Sequence, residues 1–395
     1  MSKNADFLVL GGGMIGCATA YYLSRGGASV TVLERGDTAF GTAGASGGLV
    51  NWITCAPSQM DLFMRSQAML ENLQQELEAD FELNYNSYNM QIISNEIEWT
   101  ASEQLVKDFK LPGFEAHLID SYESHQLEPC VTDDMLGSIY VPRVHYLNPI
   151  KLALAYRRAA ERHGAKFVNE AEVTALLRDG ASVTGARTPK GDYSAAVTIN
   201  CTGVWSDKVS AMAGVDAPIH PIRGEFVITE PTEHFCNTTI SSAQYQTIVQ
   251  HPELFSPNAI KYNLGFSVEQ TTTGACIIHG TREMDSGLDN SVIPEVIELL
   301  VQTAAKFIPR LGKLKLMRAY AGVRPGTPDG DPYLGLDPDV PGFCECCGHG
   351  GEGIALAPAT GEAMAELLLT GRTEHSDISA FSPVRLKKDG TEETK

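Results

Sequence analysis

Phe7-Leu8-Val9-Leu10-Gly11-Gly12-Gly13-Met14-Ile15-Gly16 decides how the chain begins to fold. Four consecutive apolar residues read as a parallel strand buried on both faces. The glycines that follow match G-x-G-x-x-G, and Ala18, Ala20, Tyr22 and Leu23 continue as a helix that stops near Gly26-Gly27. A second strand, 29–33, ends on Glu34. Each position has a physical task. Gly11 turns the chain, Gly13 lets the backbone approach a pyrophosphate, and Gly16 lets helix and strand pack closely. The helix opening at Met14 and Ile15 presents free N–H groups and a partial positive charge to phosphates. Glu34, 18 residues beyond Gly16, sits where a carboxylate accepts hydrogen bonds from ribose hydroxyls. This βαβ unit specifies a dinucleotide and by itself does not choose between NAD and FAD.

Working outward, 395 residues suffice for two structural domains. Hydrophobic residues at 43% and charged residues at 20% are ordinary for a globular chain. A net charge of −19 opposes polyanions and acidic membranes as partners. An anionic small substrate is still admissible, because it answers to a local cation. No stretch approaches the roughly 20 apolar residues of a membrane span, and Met1 to Asp6 lacks the basic region of a signal peptide. Nine Cys without a regular framework fit reduced thiols, so the expected location is cytoplasmic.

A loop of small residues, 41–48, lets backbone pass close to something bulky. Pro57 to Ala79 reads as an amphipathic helix, with Leu62, Phe63, Met69, Leu70, Leu73 and Leu77 at helical spacing. Residues 81–142 look irregular. Helices are expected over 148–163, 293–308 and 354–369, and strands over 172–177, 182–188, 197–200, 226–229, 276–279 and 342–347, while 317–323 brings the chain to Arg324. The tail after Arg385 is charged and expected to be disordered. Cofactor-like motifs at both ends and in the middle require interleaved domains. A dinucleotide domain takes 1–80, 143–218 and 318–375, a substrate domain 81–142 and 219–317, and 376–395 is the tail.

Five blocks in order carry a resemblance covering Asp6 to about Gly371. They are 11–16 with Glu34-Arg35, then 45–48, then Asn200-Cys201-Thr202-Gly203-Val204-Trp205, then 322–330 around Arg324, and finally 348–353 with 357–361. The chain resembles the FAD-dependent D-amino-acid oxidase family, the glycine oxidase and sarcosine oxidase type. Within it the likeness is greatest to glycine oxidase and to the flavin subunits of opine and hydroxyproline dehydrogenases. The resemblance implies an α/β fold in which a Rossmann-like FAD-binding domain is interleaved with an α+β substrate domain on a mixed or antiparallel sheet. It also implies FAD rather than NAD. Ala45, Ser46, Gly47 and Gly48 would border the flavin and pyrophosphate, and Val173 would meet adenine through its backbone. Thr202, Gly203 and Trp205 would lie near the cofactor. Gly350, Gly351, Gly353 and Ile354 would open a helix at the flavin's pyrimidine end. Arg324 would clamp the substrate carboxylate with its planar fork of donors. Sarcosine oxidases attach FAD to a Cys seven residues before the Asp of Thr-Pro-Asp. That position is Gly322 here, so the FAD is expected to be non-covalent.

The implied reaction is oxidation of the C–N bond of an amino acid or derived secondary amine, with hydride passing to flavin N5 and hydrolysis of the imine. The acceptor is O2, a quinone or a partner subunit. The absence of Lys from 266–283, where sarcosine oxidases keep one to activate oxygen, leans towards a dehydrogenase. An aromatic is expected over the substrate, with Tyr262 chosen ahead of Tyr245 and Phe266, and His349 is the further candidate for touching flavin or substrate. Arg223 reads as structural. Cys344, Cys346 and Cys347 alternate across a strand and lack zinc-site spacing, so no metal is expected. A non-catalytic or electron-transfer FAD subunit of a larger complex is the alternative, but it would have no use for Arg324. An aromatic monooxygenase would not need the Arg324 and Gly348 blocks. Oligomeric state, homo- or hetero-, is left open.

Overall fold

The computed structural model describes residues 3–108 and 113–387. Its first strand, Lys3–Leu10, lies inside a sheet ordered 333–336, 343–347, 191–200, 3–10, 30–33 and 166–168. Four of the five pairings are parallel, all but 333–336 with 343–347, and Leu8, Val9 and Leu10 of the central strand are fully buried on both faces. Strands 175–179 and 182–188 extend the sheet antiparallel from 191–200.

Helix Met14–Arg25 packs on this sheet and ends at Gly26. Against it lies helix Gly353–Thr370. A Cβ at Gly361 would stand 2.8 Å from the Ala18 carbonyl carbon, so the small residues of 357–361 let the two helices approach closely. Helix Pro149–Arg162, capped by the Asn148 side chain, closes the other flank. Their apolar faces form one core with Leu62, Phe63, Leu70 and Leu73 of helix Met60–Glu76.

The second sheet runs 316–326, 220–229, 276–279, 267–270, 239–242, 84–93, 137–146 and 49–50, with 117–120 paired to 137–146. It is mixed: the pair 239–242 with 84–93 is parallel and the others are antiparallel. Fold class and both layers agree with the expectation. Helix Pro294–Phe307 covers one face, with Leu300, Ala304 and Phe307 in a separate core with Val227, Val268 and Ile278.

Several expectations are corrected. Residues 81–108 and 113–142 are regular where an irregular stretch was expected, holding strand Asn84–Ile93, helices Glu96–Asp108 and Ser121–Leu127, and much of strand Gly137–Tyr146. Asn89 and Gln91 face the second cavity while Met90 and Ile92 face the core, so 89–92 alternate polar and apolar as a half-buried strand does. The strand expected at 172–177 begins at Ala175 instead, which frees Glu172 and Val173 to line a cavity. Strand Leu316–Gly326 belongs to the second sheet, across the boundary expected at 318. In the tail, Ile378 and Phe381 are buried in the main core, while 388–395 lie outside the described residues. All nine Cys are free thiols, eight of them buried. Among the described residues no helix is long and apolar enough to cross a membrane.

Candidate active site

Two cavities meet at Thr42, Ser46 and Gly351, which line both. The first, about 320 Å³, runs along the carboxyl ends of the parallel strands, where an open α/β sheet receives its ligand. Gly11, Gly13, Met14, Ile15, Glu34, Arg35, Val173, Thr202, Gly203, Trp205, Gly350, Gly353 and Ile354 all border it. Gly16 does not. Its Cβ would stand 2.0 Å from the Gly11 carbonyl oxygen, so it serves the packing of turn against helix. Ala45, Gly47 and Gly48 border the second cavity instead.

The first cavity fits a dinucleotide on its own geometry. Helix 14–25 begins at Gly13 without a side-chain cap and without an acid in its first turn, so its leading N–H groups await an external acceptor. A Cβ at Gly13 would meet nothing within 4 Å, which leaves room for a phosphate at the backbone. Glu34 is fixed by the Gly12 and Gly36 N–H groups, each donating at 2.7 Å to a different oxygen. A carboxylate has about four lone-pair sites, so two are left for hydroxyls. At the rim the Arg35 guanidinium lies 3.6 Å from the Trp205 ring centroid, a cation–π lid over this end. Phe40, Lys208 and Met212 also line this cavity; their segments carry no motif by which a sequence reading finds them.

The second cavity, about 370 Å³, opens between the two sheets. Arg324 reaches it from strand 316–326, paired in register with Ile222, while Gly322 pairs with Gly224. Gly224 is where it is for a steric reason: a Cβ there would stand 2.3 Å from Arg324 Nη1 and 2.9 Å from Nη2. The guanidinium donates to the Thr281 carbonyl at 3.4 Å and passes Gly351, whose Cβ would be 3.6 Å from Arg324 Cδ. Burial lowers its pKa from the ordinary arginine value, opposed by the Glu352 carboxylate. It stays a cation.

Arg282 is the residue that sequence reading missed. It lines the same cavity, with its guanidinium 4.3 Å from the Tyr245 ring centroid. Burial, and then the charge of Arg324, push its pKa down to about 10. In sequence, Thr281-Arg282-Glu283 resembles any charged loop. Only the structure shows that Glu283 is taken by the buried Arg223. Arg223 is thus structural, as expected.

Tyr262 is a correction. It caps the short helix Pro257–Lys261, which draws the ring into the protein, 4% exposed. Its hydroxyl meets Lys261 Nζ at 3.0 Å, and it lines neither cavity, whereas Tyr245 and Phe266 line the second. His349 lines the first cavity but not the second. Its Nε2 faces Thr360 Oγ1 at 3.2 Å, and burial pushes its pKa down to about 3, so it is neutral. Cys344 and Cys346 enter one core and Cys347 another, as strand alternation requires. At Gly322 a Cβ would come 2.5 Å from the Ala45 Cβ, so this position has no space for an attaching side chain.

Comparison with known proteins agrees with this geometry. Over 98% of both chains the sequence is 26% identical to hydrogen cyanide synthase subunit HcnC of Pseudomonas aeruginosa. It is 26% identical to glycine oxidase of Bacillus licheniformis, again over 98% of both. The fold matches the crystal structure of glycine oxidase from Geobacillus kaustophilus with a TM-score of 0.86 at 23% identity, over 97% of this chain and 99% of that one. Residues 6–367 match the family model described as DAO, FAD dependent oxidoreductase. The chain therefore belongs to the DAO family of FAD-dependent oxidoreductases, and FAD is its cofactor, a dinucleotide of the kind the first cavity fits.

Proposed function

We propose that the protein oxidises the C–N bond of an amino acid, or of a secondary amine derived from one, to an imine that water then hydrolyses. The observation that carries this reading is Arg324, a half-buried cation in a cavity that shares Thr42, Ser46 and Gly351 with the FAD cavity. Bound FAD supplies a two-electron acceptor. The chain supplies position and charge. Arg324 binds the carboxylate bidentately, which fixes the α-carbon at the shared wall. Gln91 offers its side-chain amide to the amine from strand 84–93, held there by its Nε2 donating to Asn89 Oδ1 at 3.1 Å. No side-chain base is required for a substrate amine that binds neutral. That the sequence relatives include a glycine oxidase supports an amino-acid substrate.

We further propose a dehydrogenase, passing electrons to an acceptor other than O2. The support is the lining of the second cavity, whose long cations are Arg282 and Arg324 with no Lys among the described residues. An anaerobic panel of amino acids, N-methyl amino acids and N-carboxyalkyl amino acids, followed by flavin absorbance, tests the first reading. At least one should bleach the flavin; bleaching by none returns the protein to a non-catalytic FAD subunit. Air or a dye admitted afterwards tests the second. Peroxide formed as fast as imine would overturn it.

A further inference from the structure

The second cavity holds more positive charge than one carboxylate needs. Arg324 and Arg282 both line it, and among the described residues Glu352 is the one carboxylate in that lining. Glu352 is engaged by the Thr54 hydroxyl at 3.1 Å and the Cys55 thiol at 3.9 Å. Glu283, adjacent to Arg282 in sequence, is turned away to Arg223 and Lys261. Of the other ionisable side chains of the lining, His279 is paired at 3.0 Å with Glu269, which lies outside it, and Tyr245 is stacked on Arg282. Arg282, Arg324 and Glu352 together carry about one net positive charge. One carboxylate held by Arg324 leaves the N–H groups of Arg282 without an anionic acceptor, in surroundings where an unpaired charge is costly. An amine with two carboxylates supplies an acceptor to each guanidinium.

The geometry of Arg282 suits the second carboxylate. Its guanidinium is stacked on Tyr245, which occupies its face and leaves its in-plane N–H groups for a planar acceptor. Arg324 is anchored beside Gly351, on the wall shared with the FAD cavity. Arg282 lies outside that wall, in the second cavity alone. We infer that the substrate is an amine with two carboxylates, an amino dicarboxylic acid or an N-carboxyalkyl amino acid, held by Arg324 at the reacting end and by Arg282 at the distal end. This rests on the amine-oxidising reading of the same site.

The test uses the FAD-loaded protein and two readouts. Anaerobic reduction compares glycine with iminodiacetate and alanine with glutamate. Titration of the flavin spectrum compares propionate with succinate and glutarate, ligands that cannot be oxidised. One charge-assisted pairing is worth roughly ten- to a hundred-fold, so diacids should exceed monoacids by that factor in at least one oxidised pair and in binding. Arg282→Gln should collapse the diacid-to-monoacid ratio towards one in both readouts, and Arg282→Lys should restore part of it. Flavin content and melting temperature of each variant exclude misfolding. A wild-type protein that favours monoacids, or an Arg282→Gln variant that keeps the diacid preference, overturns the inference. Should no amine reduce the flavin while succinate still outbinds propionate through Arg282, the amine-oxidising reading falls and the second anion subsite stands.

Discussion

Gly224→Ala is the sharpest perturbation of the site, because it moves Arg324 without removing it. The added Cβ would stand 2.3 Å from Nη1, 2.9 Å from Nη2 and 2.9 Å from the Thr281 carbonyl oxygen. Ordinary contact begins at 3.4 Å, so the guanidinium must retreat by about 1.1 Å. The Thr281 carbonyl oxygen is backbone and must itself yield by about 0.5 Å to reach that contact, so the variant strains the adjoining backbone as well as displacing the arginine. A misplacement of about 1 Å in a positioning group costs on the order of 100-fold in rate. Overpacking of a tight site adds about 1–3 kcal/mol of destabilisation. The assay is kcat/KM for the best substrate of the anaerobic panel, with flavin content and melting temperature measured on the same preparation. We expect kcat/KM to fall roughly 100-fold with full flavin occupancy, since Gly224 lines no part of the FAD cavity. A variant within twofold of wild type would show that Arg324 does not hold the substrate in the position described.

Trp205→Ala should weaken FAD retention about 2- to 30-fold, the range of a cation–π contact of roughly 0.5–2 kcal/mol, read by fluorescence titration of the apoprotein; unchanged affinity would remove Arg35 and Trp205 from the adenosine end. Acid precipitation should leave all the flavin in the supernatant, and flavin fluorescence in the pellet would contradict the closed space at Gly322. Glu345→Gln should remove a pH dependence of stability. Burial pushes the Glu345 carboxyl up to about 7 from 4.5, against the hydrogen bonds of Ser210, Cys347 and Asn200. Its contribution is therefore full below about pH 4.5 and lost as pH rises through about 7, on the order of 3 kcal/mol. Denaturant titrations at pH 5 and 8 should show wild type losing that much relative to the variant. Parallel curves would refute the assignment.

The parts of this molecule legible in the sequence are those where backbone geometry dictates residue type. Gly11, Gly13 and Gly16 announce a turn, an open approach and a tight packing contact, and Glu34 stands at a fixed distance from them. Arg324 was found through its neighbours in the 322–330 block. The substrate cavity was less legible, because its walls come from strands distant in sequence that meet only in the second sheet. Asn89 and Gln91 look like loop residues until strand 84–93 places them on one face. Tyr245 and Tyr262 are both tyrosines in a poorly patterned segment, and the short helix 257–261 turns the second one inward. Arg282 depends on which arginine claims Glu283, a tertiary fact with no periodic signature.

The FAD cavity draws residues 11–15 and 350–354 to one place, with the 353–370 helix laid along the first. During synthesis the first βαβ unit emerges hundreds of residues before its counterpart. A ribosome-bound chain can therefore offer only half a binding surface until nearly the whole protein has been made. Flavin capture then coincides with the last long-range docking step and acts as a thermodynamic latch on it, worth about 2.7 kcal/mol when free FAD is at 100 times its Kd. Cellular flavin supply would set how much newly made chain survives, independently of how fast each finished molecule works.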